Sequence, residues 1–185
     1  MRSSHTKLGS MLWLTIRFPH LPLDLFTRGQ SGRKIPVAVS DTIERRERII
    51  DCNPAALSRG VKPGMPVTAA LGILDGLQVV ERDRSAEHQA LQRLAAWCYQ
   101  YSSQVCIPGD RPGLFVEAGA SERLFGRPAD LGARMEQKLS RLGYHAMIGS
   151  APTPEAAWLA AHEGLHIAGK ETIRRQLGPL PLTRL

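Results

Sequence analysis

Cysteine is scarce: Cys52, Cys98 and Cys106 are the only three in 185 residues, and no two form a CxxC pair. That spacing excludes a zinc ribbon and a disulfide scaffold, and it predicts reduced, mostly buried thiols. Long apolar runs are missing too. None approaches the ~20 residues that a membrane span needs. The first ten residues, MRSSHTKLGS, are basic and polar without an apolar core, so they are not a secretory signal. They read as a leader, expected to be disordered, with Met11 as the natural start. Internal repeats and low-complexity tracts are absent. GRPADLG and KPGMP hold glycines but lack phosphate-loop spacing and a trailing Lys-Ser/Thr, so they read as turns.

What is present suits one domain, or one domain with a small insertion. Hydrophobic residues make up 43% of the chain, enough for a core without metal or disulfides. The net charge is +7, but its placement matters more than its size. Residues 1–20 carry three cations and no acid, and residues 170–185 carry four cations and one acid. The middle is nearly balanced. Basic tails on a neutral body explain the total without a nucleic-acid footprint.

β-Branched and aromatic residues predict strands over 12–18 (LWLTIRF), 34–40 (KIPVAVS), 48–52 (RIIDC), 77–80 and 113–119, with another over 144–151. A proline-marked turn, with Pro19 and Pro22, follows the first. A charged link, DTIERRE, joins the second and third. Short helices are expected at 53–61, closed by Gly60, and over PVTAALGIL. The clearest helix is capped by Ser85, with Ala90, Leu91, Leu94, Trp97, Cys98 and Tyr101 on one stripe. Another covers 129–143, with Leu131, Met135, Leu139 and Leu142 inward. A last one covers 153–162, with Thr153 as cap and Pro154 at its first position. Strand, helix, strand, helix in succession predicts a sheet with helices stacked on it.

Few motifs carry chemistry. HEGLH (His162, Glu163, His166) matches the HExxH pattern, in which two histidines one helical turn apart share a zinc ion and the glutamate activates its water. Gly164 sits inside the motif at the helix end, so His166 falls beyond the helix, and position 172 holds Thr172 instead of a third ligand. Cys98 and Cys106 have no general base near them in sequence. The run ERRER (Glu44 to Arg48) is either a solvated hairpin tip or a phosphate contact. Trp97, Met135 and Trp158 lie on helical stripes and read as core.

Four segments, taken together, carry a family resemblance. DCNPAALSRGVKPGMPVTAAL (51–71), LQRLAAWCYQYSSQV (91–105), IGSAPTPEAAWLAA (148–161) and IRRQLGPLPLTRL (173–185) follow LWLTIRFPHLPLDLF in the order of the Y-family DNA polymerases. They resemble that family's fingers segment, palm helix, palm strand and helix, and the start of its thumb. The resemblance covers nearly the whole chain from Met11. It implies an α+β fold: a polymerase palm with a split βαβ, ferredoxin-like sheet, helices on one face, and a small inserted fingers subdomain. It also implies boundaries: leader 1–10, palm 11–20 and 82–168, fingers 21–81, and a truncated thumb from 169 to 185.

Active members need three carboxylates, one at the end of the first strand and an adjacent pair on a central strand, to hold two Mg²⁺ ions. The resemblance places Arg17 at the first position and Arg111, Pro112 and Gly113 across the pair. None is acidic. The triphosphate-gripping positions fall on Pro54, Leu57 and near Leu165, and the steric gate near Pro22. Within the family, GLFVEAGASERLFG and APTPEAAWLAA resemble the catalytically deficient branch that serves damage-induced mutagenesis in bacteria. That implies a non-catalytic adaptor with no cofactor and no metal. Its implied partners are DNA, a sliding clamp, the small RecA-like protein ImuA and an error-prone replicative-type polymerase, met mostly through a little finger and tail outside this chain. It also implies a cytoplasmic, nucleoid-associated location and no membrane. Arg45, Arg46, Arg48, Arg59 and Lys62 are the candidate DNA-phosphate contacts. Arg17 is expected to pair with a carboxylate or reach DNA phosphate. Two rival readings stay open: an active polymerase using displaced acids (Asp24, Asp110, Glu117) and a zinc hydrolase at His162, Glu163 and His166.

Overall fold

A computed structural model describes residues 11–29, 35–109 and 111–178. The leader, Asp110 and residues 179–185 of the expected thumb lie outside the described residues. The chain divides into two units.

The first unit comprises residues 1–19, 91–141 and 146–185. Its sheet contains β1 (Trp13–Arg17), β5 (Val105–Cys106), β6 (Gly113–Glu117) and β7 (Met147–Ala151). The order is β5-β6-β1-β7, with every neighbour antiparallel. A strand buried on both faces reads as a nearly continuous apolar run, and in β1 Leu14 and Ile16, with the β-branched Thr15 between them, are all fully buried. The two faces have different covers. Ile148, paired with Ile16, turns its side chain to Gly132 of α6 (Pro128–Arg141). Gly149, paired with Thr15, lies under α7 (Pro154–His162). The resemblance implied helices on one face; α7 additionally covers the other. Thr153 caps α7 by accepting the Ala156 N–H at 3.3 Å, and Pro154 opens the helix without losing a needed donor. Leu131, Met135 and Leu139 of α6 are buried as expected, but Leu142 is 52% exposed, because α6 ends at Arg141 and the periodicity stops there.

The second unit comprises residues 20–90 and 142–145. Its sheet has the order β3-β2-β4, built from β2 (Val37–Ile43), β3 (Arg46–Cys52) and β4 (Gln78–Glu81). β2 and β3 are an antiparallel hairpin, while β2 and β4 are parallel. The parallel crossover carries α2 (Pro54–Leu57) and α3 (Val67–Ile73). Asn53 caps α2, its Oδ1 accepting the Ala56 N–H at 3.0 Å. The core here is Ala38, Ile49, Ala56, Val61 and Ala70.

Three expectations need correction. The charged link DTIERRE is mostly strand. Only Glu44 and Arg45 turn, both at positive φ (50° and 63°), a two-residue loop whose twist matches its strands. The Asp41↔Arg48 cross-strand pair supports the extension with opposite charges. The turn at Pro19–Pro22 leads straight into α1 (Leu21–Thr27), where Pro22 sits in the first turn and costs no hydrogen bond. The cap of α4 (Arg84–Cys98) is Asp83, not Ser85: its Oδ1 accepts the Ala86 N–H at 2.9 Å.

A late segment completes the second unit. Asp24 of α1 is fully buried and accepts the His145 N–H at 2.8 Å. Arg28 stacks over the Tyr144 ring at 5.2 Å and donates to its hydroxyl. These bonds hold Tyr144 and His145 out of the strand expected over 144–151, so β7 begins at Met147.

A Cβ on Gly149 would lie 2.3 Å from the Ala161 nitrogen, a backbone atom that cannot turn aside. Gly149→Ala is expected to lower the unfolding free energy by about 2–3 kcal/mol, the upper range for overpacking. Gly72, inside α3, has nothing within 4 Å of the same added atom. Gly72→Ala is expected to raise stability by up to ~1 kcal/mol. Urea unfolding midpoints of the two variants check the opposite signs.

Candidate functional site

Three strand ends meet at one end of the sheet in the first unit. Arg17, the last residue of β1, lies opposite Gly113, the first of β6, and Met147, the first of β7. The Phe18 N–H donates to the Pro112 carbonyl at 2.9 Å, carrying the pairing one step further. Trp158, one turn into α7, reaches back over this end. The Arg17 guanidinium lies 4.8 Å from the Trp158 ring centroid and that of Arg111 lies 5.2 Å from it. Phe115 meets the same indole edge to face at 6.1 Å. The indole also stands where a side chain at position 113 would go, since a Cβ there would be 2.7 Å from the ring. Guanidinium groups are weakly hydrated and stack readily on indole faces, each contact contributing about 0.5–2 kcal/mol.

The acids of the displaced-metal reading are engaged elsewhere. Asp24 gives Oδ2 to the His145 N–H and Oδ1 to His145 Nδ1 at 2.6 Å. Glu117 pairs with Trp13, at the opposite end of β1 from Arg17. It is four residue steps along the strand from Gly113, about 13 Å. Its oxygens accept the N–H groups of Gly119 at 2.8 Å and Ala120 at 3.4 Å. Asp110 lies outside the described residues. In HEGLH, His162 is the last residue of α7, Gly164 has φ +63°, and His166 bridges to Ser150 beyond the helix. The two histidines therefore do not share one helical face. No group of three or more His, Cys, Asp or Glu among the described residues is placed to share a metal ion.

With this geometry in hand, comparison with known proteins places the fold. Residues 28–162 match the model of the IMS: impB/mucB/samB family. The chain belongs to the impB/mucB/samB family. Over 130 residues it is 32% identical to Protein ImuB of Caulobacter vibrioides, in each of two strains. That alignment takes in 68% of the chain but only 28% of ImuB, so the chain spans under a third of the curated relatives it matches. Among solved structures, Dbh DNA polymerase in a post-insertion binary complex superposes with a TM-score of 0.74 over 95% of the chain and 53% of Dbh, at 15% identity. DinB from Sulfolobus solfataricus gives 0.69 over 95% and 53%, at 18% identity. The impB/mucB/samB chain thus has the α+β fold of Y-family polymerases, as the sequence resemblance implied.

The candidate DNA-phosphate cations of this family member all lie in the second unit. Arg45 turns the β2–β3 hairpin and Arg46 opens β3, and both are exposed. Arg59 and Lys62 are exposed beyond α2. Arg48 differs: it donates to the Gly64 carbonyl at 2.9 Å and is partly used in holding the loop. Pro54 and Leu57 are exposed on α2, and Leu165 packs beside the alanine-rich cluster of α7.

Sequence reasoning missed the histidines. His20 and His145 lie together in the second unit, each with a carboxylate, yet the bonded partners are 31 and 121 residues apart. No local pattern signals such a pair. Trp158 was read as core from its stripe. It is buried, but its ring also carries the strand-end stack. His166 donates or accepts at Ser150 Oγ (3.0 Å), and desolvation pushes its pKa down against Asp130 and Glu136.

Burial pushes the Cys98 thiol up to about 12, and burial followed by Asp51 raises that of Cys52. Neither is a thiolate at neutral pH, so neither is a ready nucleophile. Cys106 is exposed, while Cys52 and Cys98 are buried, in line with the expectation of mostly buried thiols. Ellman's reagent is expected to titrate one thiol quickly in the native chain and three in denaturant. Cys106→Ser should abolish the fast phase; a fast phase that survives it would contradict the burial of Cys52 and Cys98.

Proposed function

We propose that this chain is a non-catalytic, polymerase-like platform that serves translesion synthesis and induced mutagenesis at damaged DNA. The observation that carries the reading is the strand-end stack. The resemblance sets carboxylates at the positions of Arg17 and of the Arg111–Gly113 segment. There the chain has two guanidinium groups over one indole and a glycine with no room for a side chain. Mg²⁺ demands oxygen ligands in near-octahedral geometry, and an arginine repels it. Pro54, Leu57, Leu165 and Pro22 in the triphosphate and gate positions agree with a loss of the whole centre.

In this reading Arg45, Arg46, Arg59 and Lys62 meet DNA phosphates, with Arg48 contributing less. The sliding clamp, ImuA and an error-prone replicative-type polymerase are the assembly partners, and the bacterial nucleoid is the place. No helix among the described residues is long and apolar enough to cross a membrane. The fingers boundary of 21–81 and a thumb starting at 169 belong to the same proposal. The rival polymerase reading would need Asp24 and Glu117 to leave their present bonds.

Calorimetric titration of the chain with MnCl₂, together with primer extension, tests this. The expected result is no extension and no manganese isotherm that depends on Glu117. Extension abolished by Glu117→Ala would overturn the reading. DNA affinity is expected to be weak and to fall steeply with salt. Arg59→Ala and Lys62→Ala should each lower the slope of log K against log[salt] by about 1. Unchanged slopes would remove those residues from the interface.

A further inference from the structure

The polymerase-like reading leaves two histidines of the second unit without a use. His20 precedes α1 and His145 precedes β7. Their rings meet edge to face, with centroids 6.0 Å apart and planes at 85°. A carboxylate holds each at Nδ1: Asp51 Oδ2 at 2.9 Å from His20, and Asp24 Oδ1 at 2.6 Å from His145. A backbone N–H in turn fixes each carboxylate. Cys52 donates to Asp51 Oδ1 at 2.8 Å, and His145 donates to Asp24 Oδ2 at 2.8 Å. Asp24 is fully buried and Asp51 nearly so, while the His145 and His20 side chains are 74% and 50% exposed.

The chemistry follows from which nitrogen is occupied. A neutral imidazole whose Nδ1–H donates to a carboxylate keeps its lone pair on Nε2. The carboxylate orients the ring, as it does for histidines that ligate metals. Two imidazoles bound to one tetrahedral ion at 2.0–2.1 Å bring their centroids to about 5 Å. The two rings, with centroids at 6.0 Å, stand about 1 Å beyond that spacing.

We propose that His20 and His145 form a two-imidazole site for a divalent transition-metal ion of the zinc or nickel class, with Asp51 and Asp24 as positioning residues. Imidazole donors select these ions, whereas Mg²⁺ prefers oxygen. Two protein ligands leave coordination positions for water or an added donor. A cavity of about 190 Å³ beside His145, lined also by Thr27 and Asn53, gives room for one. The site is independent of the scaffold reading, which concerns oxygen ligands at the strand ends of the other unit.

Calorimetric titration of the chain with ZnCl₂ and NiCl₂, with MgCl₂ as reference, is the test. The wild type is expected to bind one zinc or nickel ion and no magnesium at the same concentrations. His20→Gln and His145→Gln should each weaken binding at least tenfold, and the double variant should abolish it. Asp51→Asn should weaken it by roughly 10–100-fold. His162→Gln/His166→Gln should leave it unchanged. His20→Gln, at a half-exposed ring, is expected to keep the wild-type circular dichroism and melting curve, whereas His145→Gln keeps the circular dichroism but lowers the melting temperature, because buried Asp24 loses its ring partner. A double variant that binds zinc like the wild type, or a wild type that binds none, would overturn the proposal. So would loss of binding only in the His162→Gln/His166→Gln variant, which would assign the ion to HEGLH.

Discussion

The seat of α7 on the sheet governs what the strand ends can hold. Gly149 has no side chain, so the backbone at Ala160 and Ala161 comes within about one atomic diameter of β7. Glycine in a strand interior weakens the strand, and here it allows close approach. With the helix that close, Trp158 lies across the ends of β1 and β6. Gly113 is the second concession, since any larger residue would meet the indole and the Ile16 carbonyl. Arg17 and Arg111 then find an electron-rich face within about 5 Å. Two glycines and one indole thus define the site as firmly as its charged residues do.

The second unit depends on a different kind of bond. Asp24 is a carboxylate with no exposure to solvent, a costly placement unless its oxygens are used. His145 uses both, through its ring and its backbone. That single residue, 121 positions later, ties the segment 142–145 to a unit otherwise finished by residue 90. The histidine pair is thus built on a buried charge.

Legibility followed sequence distance. Buried strands announced themselves through apolar runs: LWLTIRF and GLFVEAG pair in the structure. The helix 153–162 was legible because Thr153 and Pro154 are local signals. Adjacency of Arg17 to residues 111–113 was legible only through the family resemblance, which supplies strand order. The errors were at ends and turns. Asp83 and Ser85 are both good caps, and periodicity cannot choose between them. Glu44 and Arg45 are unusual residues for positive φ, so composition gave no hint of so tight a turn. Leu142 fitted its stripe, yet Gly143 (φ +82°) follows it and the helix had already ended at Arg141. The His20–Asp51 and Asp24–His145 pairs were illegible, because each joins residues that only the tertiary fold brings together.

On the proposed reading, the strand-end chemistry bears on how a metal centre would be lost. Clustered carboxylates repel one another and raise each other's pKa unless a cation neutralises them. A palm that keeps its acids therefore depends on its metal for local stability. Guanidinium groups within about 5 Å of an indole have no such dependence, because the ring attracts each cation. Losing the metal ion alone would leave the carboxylates uncompensated. Exchanging all of them while the indole fills the space leaves a site that is stable without any ion. On the proposed reading, the coordinated change across Arg17, Arg111, Pro112 and Gly113 is what this electrostatics favours, and Trp158 is the residue that makes the exchanged site close.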